Sequence, residues 1–199
     1  MRSYGDPCGI ARALDLIGER WALLVVRELL HGPKRFAGLR RGLFSASPNV
    51  LSQRLRELQQ GGVVQRAGGG YELTARGREL HPLLLALGRW GARSTARPGG
   101  ALSLDALLAA LEATFLGMPG LSALYELVLE GERFTLEVQG SELLISRGAP
   151  RAALAAVETD PATLRAVVFG DRKLAGARLK LRGDEPQARR LLQAFARPR

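Results

Sequence analysis

Asn49, Ser52, Gln53 and Arg56 carry hydrogen-bonding groups, none is acidic, and their spacing brings them to one side of a helix. Amide, hydroxyl and guanidinium groups arranged in this way suit the base edges of a DNA major groove. Phosphates ask for cations on flanking elements, and Lys34, Arg35, Arg40, Arg41 and Arg66 stand on either side in sequence. Together with Arg54 and Arg56 they mark a basic patch. Residues 1–96 hold 15 Lys and Arg against 7 Asp and Glu, whereas residues 97–199 hold 14 against 12. The formal charge of +10 therefore sits mainly in the first half. Two readings stay open on pattern alone: a DNA reader, or a helical domain whose solvated polar face meets a protein.

Other chemistry is thinly supplied. A single cysteine, Cys8, excludes an internal disulfide framework and Cys-rich zinc sites. His31 and His81 stand fifty positions apart without ligand partners nearby in sequence, so no metal centre is expected. Glu126, Glu130, Glu137 and Glu142 fall on strand faces expected to be solvated, and the second half has no histidine. Gly68-Gly69-Gly70 is followed by no Lys-Ser pair, so it is no phosphate loop. The expectation is a non-enzyme without cofactor. Cys8 precedes the first helix, whose positive end favours a thiolate, while Asp6 opposes it.

The elements that must position these groups follow from punctuation and periodicity. Ile10, Ala13, Leu14 and Ile17 define a helix ended by Gly18, and Trp21–Leu30 a second closed by Gly32-Pro33. A short basic helix over Lys34–Gly42 buries Phe36 and Leu39. Ser47-Pro48 starts the next, with Ser47 as N-cap and a further candidate DNA contact, and Pro48 at the first position; Gly61-Gly62 stops it. Leu51, Leu55 and Leu58 face inward along it. Val63–Arg66 and Tyr71–Thr74 then form a hairpin with a glycine tip. That order is a winged helix-turn-helix.

Residues 7–91 resemble the HxlR-type bacterial winged-helix regulators. The stretches that carry the resemblance are PCGIARALDLIGERWALLVVRELLHGPKRFAGLRR, SPNVLSQRLRELQQGGVVQR, YELTARGREL and LLLALGRWG. The resemblance implies a homodimer on double-stranded DNA that represses or activates nearby genes. It also implies that Cys8, at the family's Pro-Cys position, is a candidate redox sensor of quinones, aldehydes or hypochlorite. Leu80, Leu83, Leu84, Leu87 and Trp90 form an apolar stripe that packs against either a partner subunit or the second half.

GARSTARPGGA, at residues 91–101, reads as a linker. Beyond it, a helix from Ser103 through Phe115 leads into three meandering strands around Leu124–Leu129, Phe134–Val138 and Leu143–Ser146. Arg151–Glu158 is strand or helix; Asp160-Pro161 starts a helix through Phe169. Ala177–Leu181 is strand-like, and Asp184 caps a last helix. Residues 101–197 resemble the sterol-carrier-protein-type fold through FTLEVQGSELLISRG, VETDPATLRAVVFG and AGARLKLRGDEPQARRLLQAF. That resemblance implies a mainly antiparallel sheet and helices around an apolar pocket, for which Phe115, Phe134, Leu136, Phe169 and Leu174 are candidates.

The expected class is α+β: a winged helix-turn-helix domain over 1–92, a linker over 93–101, and a small sterol-carrier-like domain over 102–199. The function expected is that of a dimeric transcriptional regulator, a repressor, with an apolar small-molecule effector. The competing reading is a lipid-binding carrier whose basic half docks to a partner. The opening lacks an apolar core before a cleavage site, and Trp21–Leu30 is too short and too charged to span a bilayer. A soluble cytoplasmic protein without membrane contact is expected.

Overall fold

A computed structural model describes residues 3–93 and 102–196. The chain divides into two compact units, the first closing at Ala86 and including the stretch that ends at Ala106. The division falls within two helices rather than in the expected 93–101 linker, of which all but Arg93 lies outside the described residues.

In the first unit, α1 (Gly9–Ile17), α2 (Ala22–Leu29), α3 (Phe36–Gly42) and α4 (Pro48–Gln60) lead into the hairpin of β1 (Val64–Ala67) and β2 (Gly70–Leu73). Helix α4 forms where expected. Ser47 Oγ accepts the Val50 N–H at 3.3 Å, Pro48 sits in the first turn, and Gly61 is the C-cap. Leu51, Leu55 and Leu58 are buried against Val25, Val26, Leu29 and Leu39 in one apolar cluster. Each such side chain contributes about 1.5–3 kcal/mol by leaving water. The hairpin tip is Gly68-Gly69, with φ of 54° and 76°, the two positive φ values that a type I′ turn demands.

Two features differ from expectation. The basic helix starts at Phe36, because Lys34 is extended and exchanges both backbone hydrogen bonds with Tyr71, at 2.9 and 2.8 Å. The two-stranded wing thereby gains an isolated bridge to Lys34. A short helix, α5 (Ala75–Arg78), also intervenes after the wing, capped by Thr74 accepting the Gly77 N–H at 3.0 Å. Helix α6 (His81–Gly91) follows.

Helix α7 (Leu104–Thr114) precedes the sheet of the second unit, and Ser103 Oγ caps it by accepting the Ala106 N–H at 3.1 Å. The strands β3 (Ser122–Leu129), β4 (Glu132–Gln139), β5 (Glu142–Arg147), β6 (Ala155–Thr159) and β7 (Lys180–Gly183) stand in the order β5-β4-β3-β6-β7. The first three are the expected antiparallel meander, but β6 joins β3 in parallel, so the sheet is mixed. Strand β7 starts at Lys180 rather than Ala177, its register set by Val157 opposite Leu181. Helices α8 (Pro161–Val168) and α9 (Glu185–Leu192) are capped by Asp160 and Asp184 as expected. Tyr125, Leu127, Leu129, Phe134, Leu136 and Val138 are buried along β3 and β4, while alternate positions carry pairs such as Glu126–Arg133 and Glu158–Lys180.

Candidate nucleic-acid interface

Helix α4 presents the expected polar side chains away from the buried leucines. Asn49, Gln53 and Arg56 are exposed and Ser52 half-buried. Ser47 is exposed and acts on its own helix as the N-cap. Periodicity did not disclose Glu57, which sits one turn beyond Gln53 and accepts its Nε2–H at 3.0 Å. Glu57 also takes the Arg54 guanidinium, so Arg54 is a buried ion-pair partner and not part of a free basic patch.

The flanking cations separate into two groups. Arg35, Arg40 and Arg41 are exposed around α3, and Arg66 is exposed on the wing with its guanidinium 4.2 Å from the Tyr71 ring centre. Stacking on a buried aromatic restricts the Arg66 side chain while leaving its donors outward. Lys34, expected to meet phosphate, instead turns inward. Its Nζ donates to Glu28 at 2.8 Å and to Asp105, and both carboxylates are buried. Two buried negative charges outcompete solvent for that ammonium. The geometry thus joins a polar helix face to exposed arginines on α3 and the wing.

The model of the HxlR-like helix-turn-helix family matches residues 16–98. An HTH-type transcriptional regulator of Synechocystis sp. is 37% identical over 94 residues, which cover 44% of this chain and 70% of that one. The chain belongs to the HxlR-like helix-turn-helix family. The HTH-type regulator YvaP of Bacillus subtilis is 37% identical over 86 residues, 40% of this chain and 80% of that protein. A crystal structure of quinone-bound YodB from B. subtilis superposes with a TM-score of 0.40 at 32% identity, covering 43% of this chain and 97% of that one. The curated relatives are named as transcriptional regulators, a non-enzymatic role.

Outside the helix-turn-helix of this HxlR-family chain, the remaining expected site residues divide. Leu80 and Leu84 are half-buried and pack against the core cluster of the first unit. Leu83, Leu87 and Trp90, at i, i+4 and i+7 of α6, are 62%, 48% and 68% exposed. Ile10 and Leu14 on α1 are exposed as well. Cys8 is exposed at the N-terminus of α1. The backbone N–H groups of Ile10, then Ala11, lower its pKa, although no capping hydrogen bond closes on the sulfur. Asp6 accepts the Cys8 backbone N–H at 2.9 Å.

In the second unit, Leu136 lines an interior cavity of about 10 Å³ with Leu111, Leu127 and Phe195. That is room for one water at most, so Leu136 belongs to packed core rather than to a ligand chamber. Phe134 is fully buried beneath the Arg147 guanidinium, and the Phe115 ring tilts against Phe195 at 5.6 Å. Phe169 is half-buried. Leu174 lines a surface groove of about 320 Å³ with Val167, Val168, Leu192 and Phe195, edged by Arg172 and Lys173. Among the described residues, no helix is long and apolar enough to cross a membrane.

Proposed function

We propose that this chain is a cytoplasmic, homodimeric, sequence-specific DNA-binding transcriptional repressor whose second half takes an apolar small-molecule effector. The observation that carries the DNA-reading part is the α4 face: Asn49, Gln53 and Arg56 exposed, opposite fully buried Leu51 and Leu55. Arg35, Arg40, Arg41 and Arg66 hold the phosphates, and Asn49, Ser52, Gln53 and Arg56 meet base edges. A carrier docking through a plain basic surface would have no use for amide and hydroxyl groups aimed outward from a capped helix.

Exposed Leu83, Leu87 and Trp90 on α6 form the dimer contact, since a stripe of large apolar side chains in water favours a partner. Two-fold symmetry then sets the recognition helices one helical turn of DNA apart, and the operator is pseudo-palindromic. The sterol-carrier-like half offers the groove at Leu174, and an effector there acts by binding one dimer geometry better than the other. Cys8, with its lowered pKa, serves as a second input for oxidants.

The test is competition, at fixed salt, between the duplex upstream of the protein's own gene and a scrambled duplex of equal length. Preference by a factor of about 10³ or more is expected for a specific regulator. Equal affinity for both overturns the reading in favour of the docking alternative.

A further inference from the structure

Glu28, at 0% exposure, and Asp105, at 1%, are two fully buried carboxylates that share one ammonium, Lys34 Nζ. Around them the packing is closed. Ser103 Oγ donates to Glu28 Oε1, Arg27 donates to the same oxygen at 2.8 Å, and His31 Nδ1 lies 3.5 Å from Asp105 Oδ1. A Cβ on Gly42, the last residue of α3, would stand 2.0 Å from Glu28 Oε2, so α3 ends directly on this carboxylate. Ser103 and Asp105 lie beyond residues 16–98, where the family model ends, yet the stretch closing at Ala106 belongs to the first unit.

Lys34 ties this cluster to the wing. Its backbone exchanges two hydrogen bonds with Tyr71, and a Cβ at Gly70 would meet the Lys34 carbonyl oxygen at 2.7 Å. The Tyr71 ring in turn carries the Arg66 guanidinium. A continuous path therefore runs from the first turn of α7 through Lys34 and Tyr71 to the exposed cation of the wing. Breaking a buried ion pair on one side leaves the other charge uncompensated, so this arrangement holds firmly only with every member present.

We propose that Asp105, on a helix start that Ser103 caps, is a positioning residue for the wing: it fixes Lys34, and through Tyr71 it aims Arg66 at the DNA backbone. The helix-turn-helix module of this chain extends past the family's own boundary into the start of α7. The DNA consequence rests on the reading under Proposed function; the wing consequence does not.

The experiment uses the full chain with Asp105→Asn, read in two ways. Without DNA, hydrogen exchange at the Tyr71 and Lys34 amides is expected to accelerate about tenfold or more, with the Leu55 amide of α4 unchanged. With DNA, Asp105→Asn and Arg66→Ala are expected each to weaken binding and to be non-additive when combined, whereas Asp105→Asn and Arg40→Ala multiply. Asp105→Glu, which keeps the charge, should recover most of the loss. Unchanged exchange at Tyr71, equal acceleration at Leu55, or additivity with Arg66→Ala overturns the proposal. If Asp105→Asn does not fold, Ser103→Ala, which removes the hydrogen bond to Glu28 together with the cap that holds the start of α7, is read by the same two assays with the same criteria. Accelerated exchange at Tyr71 in a protein without preference for its own upstream duplex would retain the wing anchor and reject the DNA reading.

Discussion

Gln53 is held before any DNA arrives, because its carboxamide donates to Glu57 at 3.0 Å, and Glu57 in turn holds Arg54. Under the proposed reading, base readout by Gln53 would exchange that internal bond for one to a base edge. Gln53→Ala is therefore expected to cost about 1–3 kcal/mol of discrimination at one operator position. Arg40→Ala should weaken all sequences alike and lower the salt slope by about 1. Titrations at several salt concentrations separate the two, and identical behaviour would refute the division between base and phosphate contacts. Cys8 gives a pH prediction. Since backbone N–H groups lower its pKa, a larger thiolate fraction exists at neutral pH than in the unfolded chain. The pH midpoint of Cys8 alkylation should lie below the midpoint measured in denaturant; an equal or higher midpoint contradicts this. At this scale the sequence disclosed residue types and spacing but not partners. Nothing near Lys34 in sequence signals that Asp105, seventy-one positions away, will capture its ammonium.

Helix α4 was legible because its signals are local: a Ser-Pro start, leucines at i, i+4 and i+7, and a Gly-Gly stop. Its inward leucines carry the element. Leu55→Ala, at a site 1% exposed, is expected to cost about 2–5 kcal/mol in thermal or chemical unfolding. A cost well under 1 kcal/mol would mean that α4 does not rest on this face. Elements whose form depends on distant pairing were less legible. Lys34 sits in a basic run that reads as helix, yet Tyr71 draws its backbone into the wing. The Ala-rich stretch before Glu158 becomes β6 because β3 lies alongside in parallel, and β6 then sets where β7 begins. Helix α5 was missed because four residues are too few for periodicity to register.

For the whole molecule, the helix-turn-helix order and the meander of the second half were legible, whereas the fate of the apolar stripe was not. A stripe at helical spacing cannot announce which members meet their own core; Leu80 and Leu84 do, and Leu83, Leu87 and Trp90 face outward. Trp90→Glu is accordingly expected to turn a dimer into a folded monomer, seen as a halved mass under non-denaturing conditions. A dimer that survives this change would place the contact elsewhere. The same assay reports on the groove at Leu174: extra mass lost on denaturation identifies a bound ligand, and its absence from every preparation would leave the groove without that support. The central functional proposal is that two α4 helices read a specific DNA site together. The most direct measurement is a nuclease footprint of the wild-type protein on its own upstream region. Two protected half-sites with centres about 34–36 Å apart, one helical turn, are predicted. Uniform protection, or protection equal to that on scrambled DNA, would contradict the account.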